Sequence, residues 1–103
     1  MGVQKLSEQE IAAELTKLTG WSIQQGKLHR AFQCKDFVQA FGFMTSVALA
    51  AEAMRHHPDW SNSWNKVIVD LTTHSIGGLS KLDFELAGKI ERIFGSQGVS
   101  DGA

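Results

Sequence analysis

Three of the chain's four histidines stand where they could move protons. His56 and His57 are adjacent in Glu52-Ala53-Met54-Arg55-His56-His57-Pro58-Asp59-Trp60, and His74 ends a later apolar run at Thr72-Thr73-His74. Histidine is the side chain whose unperturbed pKa suits proton transfer near neutral pH. Pro58 cannot continue a helix and disfavours helical backbone at His57, so the long apolar helix before it must end at this pair. Two imidazoles then sit at a helix-to-strand corner, where side chains can converge on a cleft. Glu52 precedes His56 by one helical turn, so the two can share a face. A carboxylate beside a histidine raises its basicity and fixes its tautomer.

Each of these residues also has a plainer reading. Glu52 can be a solvated helix residue. His56 and His57 can cap the last carbonyls of a helix. His74 can bond to backbone at a strand end. Asp83, three residues after Ser80, explains itself as a helix cap. Trp60 and Trp64 can be packing residues, or an aromatic wall for a flat ring. A metal site is not favoured by the spacing. Zinc usually needs three or four convergent ligands. Adjacent histidines rarely hold one ion, and the chain has neither HExxH nor a second cysteine. Spacing alone leads to a histidine-lined acid/base pocket with its substrate open.

The elements that must position this pocket follow from local signals. Residues 1–6 read as a loose leader. Ser7-Glu8-Gln9-Glu10 is a capping box, and Ile11, Leu15 and Leu18 follow at helical spacing, which predicts a first helix from about Glu8 to Thr19. Trp21 and Ile23 alternate with polar residues as a short strand. Gln25-Gly26-Lys27 is a turn, and Leu28 to Cys34 alternate as a second, antiparallel strand. His29 reads as a surface residue of that strand. Asp36 and Gln39 open the second helix with another capping-box pattern. Its apolar residues cover two faces. The stripe Phe37-Phe41-Met44-Ala48-Ala51 is expected to face the domain's own sheet. Phe43, Val47, Ala50 and Met54 then point towards a partner. Asn62-Ser63-Trp64-Asn65 reads as a hairpin turn, and Val67, Val69 and Leu71 form the next strand. Ser80 and Asp83 mark the start of a third helix carrying Leu82, Leu86, Ile90 and Ile93. The Gly- and Ser-rich tail from Gly95 to Ala103 is expected to be disordered. The order α-β-β-α-β-β-α predicts an α+β fold: a four-stranded antiparallel sheet with three helices packed on one face.

A length of 103 residues fits a single domain spanning 1–103, with an ordered core over about 6–95. The net charge of −1 and the lack of a Lys/Arg run argue against direct nucleic-acid binding. Cys34 is the only cysteine, which excludes an internal disulfide and fits a reducing compartment. No signal peptide is visible. Gln39, Thr45, Ser46 and Glu52 interrupt the longest apolar stretch, so no membrane span is expected.

Beyond spacing, the chain resembles the pterin-4a-carbinolamine dehydratase family, whose members also serve as dimerisation cofactors of a homeodomain transcription factor. The resemblance runs from about Leu6 to Phe94. It is carried by Lys35-Asp36-Phe37, Ala40-Phe41-Gly42-Phe43-Met44-Thr45, Val47-Ala48-Leu49, Ala51-Glu52, His56-His57-Pro58-Asp59-Trp60, Trp64-Asn65-Lys66-Val67, Thr73-His74, and Gly78-Leu79-Ser80 with Asp83. Trp64 stands where close animal relatives have tyrosine. The resemblance implies dehydration of 4a-hydroxytetrahydrobiopterin to quinonoid dihydrobiopterin, with no metal and no cofactor. It implies His56 and His74 as the acid/base pair and His57 as a positioning residue. Glu52 would orient His56, Asp83 would support His74, and Trp60 would wall the site. It further implies a cytoplasmic homotetramer, a dimer of dimers joined through the second helix. The alternative it carries is a protein-binding, assembly or coactivator module that engages a helical partner through that helix.

Overall fold

The computed structural model describes residues 2–96. The element order is α1 (Glu8–Leu15), β1 (Ser22–Gln24), β2 (Lys27–Gln33), α2 (Phe37–Met54), β3 (Asp59–Ser63), β4 (Lys66–Leu71) and α3 (Lys81–Ser96), with a single 3-10 turn at His74–Ile76. The sheet is antiparallel throughout, in the order β1-β2-β4-β3. The predicted class and element order therefore hold.

Local chemistry explains the element ends. The Ser7 amide donates to Glu10 Oε1 at 2.8 Å and the Glu10 amide donates to Ser7 Oγ at 3.1 Å, a complete capping box. α1 stops at Leu15 rather than Thr19. The Thr16 hydroxyl bonds back to the Ala13 carbonyl at 2.7 Å and the chain continues as turns. Gln25 (φ 52°) and Gly26 (φ 79°) are both left-handed, as the two-residue primed turn between β1 and β2 requires. Asp36 caps α2 by accepting from the Gln39 amide at 2.8 Å. Trp64 (φ 51°) and Asn65 form the β3–β4 hairpin tip, two residues after the predicted turn begins, because Asn62 and Ser63 still pair in β3.

The core lies between the sheet and the helices. Leu28 and Phe32 of β2, and Val67, Val69 and Leu71 of β4, alternate inward. Phe32 is the centre: its ring lies 4.9 Å from Phe43 and 4.8 Å from Phe94. Arg30, on the same inward face of β2, is buried. It pairs with Glu91 and lays its guanidinium 4.4 Å from the Phe32 ring centroid. Cys34 is buried at the end of this row.

Two expectations need correction. The first concerns the inward face of α2. Ala40, Phe43, Val47 and Ala51 are its buried residues, whereas Phe37 and Phe41 of the expected core stripe are 47% and 58% exposed. Both faces of α2 are apolar, so periodicity identified two stripes but could not rank them. The Phe32–Phe94 cluster selects the one carrying Phe43. The second concerns residues 1–6. Leu6 is buried, and its amide donates to the Leu79 carbonyl at 2.8 Å, so the described part, residues 2–6, is a strap and not a loose leader. By size and composition α2 is long and apolar enough to cross a bilayer, but one of its faces belongs to the core of this domain. The expected tail disorder falls outside the described residues, except that Gly95 and Ser96 continue α3.

Candidate active site

The end of α2 decides where the two adjacent histidines point. Arg55 takes the left-handed conformation (φ 54°, ψ 40°). Its amide donates to the Glu52 carbonyl at 3.0 Å, and the His56 amide donates to the Ala51 carbonyl at 3.0 Å. This pair of bonds is a Schellman motif, with Pro58 two residues beyond the last of them. A non-glycine residue in this region costs about 1–2 kcal/mol. The turn reverses the chain within two residues. His56 is thereby turned inward, with 8% exposure, while the His57 side chain stays 63% exposed.

His56 meets a carboxylate from the far end of the chain. His56 Nε2 lies 2.6 Å from Asp83 Oδ1, and Asp83 is fully buried. The other oxygen, Oδ2, accepts from the Ser80 amide at 2.9 Å and from the Thr73 hydroxyl at 2.8 Å. Ser80 Oγ lies 2.7 Å from Thr73 Oγ1 and accepts from the Leu82 amide at 3.2 Å. With Thr73 donating to Asp83, Ser80 must donate to Thr73, and every proton in the cluster is placed. An ionised carboxylate only accepts, so the pairing with Asp83 assigns a proton to His56 Nε2. Asp83 is thus a helix cap and a histidine partner at once. No buried side-chain polar atom among the described residues lacks a hydrogen-bond partner.

The partner assignments therefore differ from expectation. Asp83 supports His56, not His74. Glu52 does not orient His56; its Oε1 lies 2.7 Å from His57 Nε2. One helical turn separates Glu52 from His56, but the Schellman turn carries His56 off the helical path and leaves His57 beside Glu52. His74 sits beyond the end of β4, in the 3-10 turn, because Thr73 pairs with Gly78 as an isolated bridge. His74 Nε2 lies 3.2 Å from Asp59 Oδ2. Each of the three histidines therefore directs Nε2 at a different carboxylate.

His56, His57 and His74 line one cleft of about 460 Å³, together with Arg55, Asp59 and Thr73. That is within the usual range for a small-molecule site. Trp60 and Glu52 are not among its lining residues. Trp60 is half-buried against the core, and Trp64 is 65% exposed at the hairpin tip. Asp59 is a cleft-lining carboxylate, paired with His74, that spacing did not single out. Its position directly after Pro58 in the histidine motif was the available signal.

Asp59 Oδ2 also accepts from Lys27 Nζ at 3.0 Å. This hydrogen bond is the main cause that holds the Asp59 carboxyl below the usual aspartate range. Partial burial opposes it, and the charges of Lys27 and His74 add to it. A carboxyl depressed in the folded state contributes stability above its unfolded pKa, and the contribution is lost as pH falls through the folded value. Carboxyl-detected NMR titration should find Asp59 below an ordinary aspartate, and Lys27→Met should move its midpoint upward. An unmoved midpoint refutes this account of the pair.

A family model described as pterin 4 alpha carbinolamine dehydratase matches residues 4–93. A protein of Solibacter usitatus bearing the pterin-4-alpha-carbinolamine dehydratase name is 51% identical over 89 residues, which cover 86% of this chain and 94% of that one. One of Rhizobium johnstonii with the same name is 44% identical over 94 residues, covering 89% and 93%. A crystal structure of a transcriptional coactivator/pterin dehydratase from Brucella melitensis superposes with a TM-score of 0.84 at 43% identity, covering 87% of this chain and 98% of that one. With a matching family model across nearly all of the described fold, the chain belongs to the pterin 4 alpha carbinolamine dehydratase family.

Proposed function

We propose that the protein is a hydro-lyase that dehydrates 4a-hydroxytetrahydropterins to quinonoid dihydropterins, using His56 and His74 as the acid/base pair. The single observation that carries this reading is the buried Asp83–His56 dyad opening onto a cleft that also holds His74. Losing water from a carbinolamine takes one proton to the departing 4a-hydroxyl and removes one from a ring N–H. The C–O bond breaks as the ring C=N bond forms, and one water leaves. Two imidazoles suffice, and no covalent intermediate is needed. Positioned general acid/base groups supply about 10²–10⁴-fold, a fitting scale for a reaction that also proceeds slowly unaided. His57, tied to Glu52 at the exposed edge, positions the ring. Trp60 acts from behind the cleft as packing and not as its wall.

The reaction needs no metal, because losing water from a carbinolamine takes only an acid at the departing hydroxyl and a base at the ring N–H. Stopped-flow decay of 4a-hydroxytetrahydrobiopterin should be accelerated by the protein and should stay so after exhaustive chelation. No acceleration over buffer rejects the dehydratase, and activity lost with bound zinc rejects the metal-free chemistry.

The outer face of α2 supports self-association. Phe37, Val38, Phe41 and Leu49 are 47%, 79%, 58% and 69% exposed on one side of the helix. Pairing this face with the same face of other copies would bury it symmetrically, as a homotetramer of helix-paired subunits. A purely protein-binding module working through this face is a poorer account. It has no use for a buried carboxylate committed to a cleft histidine.

A further inference from the structure

A second cleft adjoins the histidine cleft. It holds about 370 Å³ and is lined by the strap residues Val3, Gln4 and Lys5 and by Glu10, Lys81 and Leu82. Val3 and Leu82 also line the histidine cleft, so the two share a wall. The strap is held in place. Leu6 is buried and bonded to Leu79, and the Lys5 stem lies across Gly78, where an added Cβ would come within 2.6 Å of Lys5 Cε. Glycine at 78 therefore leaves room for the Lys5 stem.

We propose that this second cleft receives an anionic substituent of the pterin, such as a terminal phosphate, while the ring occupies the histidine cleft. The inference rests on the dehydratase reading for the place of the ring. Two ammonium groups, Lys5 and Lys81, face one carboxylate, Glu10. Glu10 is held ionised, below its usual range, chiefly by the Ser7 amide with the Lys81 charge adding to it, so two ammonium groups against one carboxylate leave the lining a positive surplus. Among the described residues, the lysines in ion pairs are Lys17, Lys27 and Lys89, and Lys5 and Lys81 are not among them. A neutral side chain leaves Lys5 without an ion pair and Lys81 with only the Glu10 carboxylate that shares the lining, whereas a phosphate meets both ammonium groups. Exposed charges interact modestly and are screened by salt, so the effect is one of preference.

The test compares two 4a-hydroxytetrahydropterins, one with a neutral hydroxyalkyl group at C6 and one with the same group ending in phosphate. Wild-type kcat/KM should favour the phosphate by about fivefold at low ionic strength, and the ratio should approach one in Lys5→Ala/Lys81→Ala or in high salt. A wild-type ratio of one, or a ratio unmoved by the double substitution, overturns the subsite. Binding of 6-hydroxymethylpterin and its phosphate ester, followed by pterin fluorescence, separates the two claims. A phosphate preference that disappears in the double variant, without any dehydration, keeps the subsite and rejects the dehydratase. The absence of a preference in binding rejects the subsite whatever the activity.

Discussion

Replacing both His56 and His74 with alanine is expected to bring dehydration of the 4a-carbinolamine down to its uncatalysed rate, a loss of about 10²–10⁴-fold. Each single substitution should lower kcat by less, because the remaining imidazole can still donate or accept a proton with water serving the other side. His57→Ala should act mainly on KM. A group that holds substrate and transition state alike contributes uniform binding. Asp83 connects this experiment to the fold. Its carboxylate caps α3 through Ser80, accepts from Thr73 and fixes the His56 tautomer. Asp83→Asn replaces one acceptor oxygen with a donor. It must therefore break either the cap or the correct histidine tautomer, lowering both stability and kcat. Stopped-flow rates for the set decide the matter. A double variant that keeps near wild-type turnover refutes the assignment.

The second large effect separates the two faces of α2. Val47→Glu is expected to unfold the domain. Val47 has no exposed surface and belongs to the core cluster with Phe32 and Phe43. The substitution loses about 1.5–3 kcal/mol of apolar burial and adds several more for a polar group with no partner. A sum of about 4–6 kcal/mol is comparable with the whole stability of a small domain. Leu49→Glu on the outer face should change intrinsic stability by only about 0.5 kcal/mol, yet should split the proposed tetramer into smaller folded species. Urea unfolding followed by circular dichroism reads the first effect, and light scattering reads the second. A folded Val47→Glu protein contradicts the inward face described above. A Leu49→Glu protein with unchanged mass, or a wild-type monomer at micromolar concentration, rejects association through α2.

The legible parts of this protein were those that depend on neighbours in sequence. Capping at Ser7 and Asp36, the left-handed turn at Gly26, the break forced by Pro58 and the period-2 alternation from Leu28 to Phe32 all act over a few residues, so the α-β-β-α-β-β-α order could be read directly. The gathering of His56, His57 and His74 was legible as a motif. Tertiary structure alone decided which carboxylate serves which histidine. Glu52 stands near His56 on a continuous helix, but the left-handed Arg55 swings His56 inward, towards a carboxylate 27 residues away, and leaves Glu52 to His57. Asp59 likewise became a partner of His74 only when β3 and the turn after β4 met at one end of the sheet. The choice between the faces of α2 was also tertiary. Both are apolar enough to be buried, and only the shape of the Phe32–Phe43–Phe94 cluster distinguishes the face that packs inside from the face left outside.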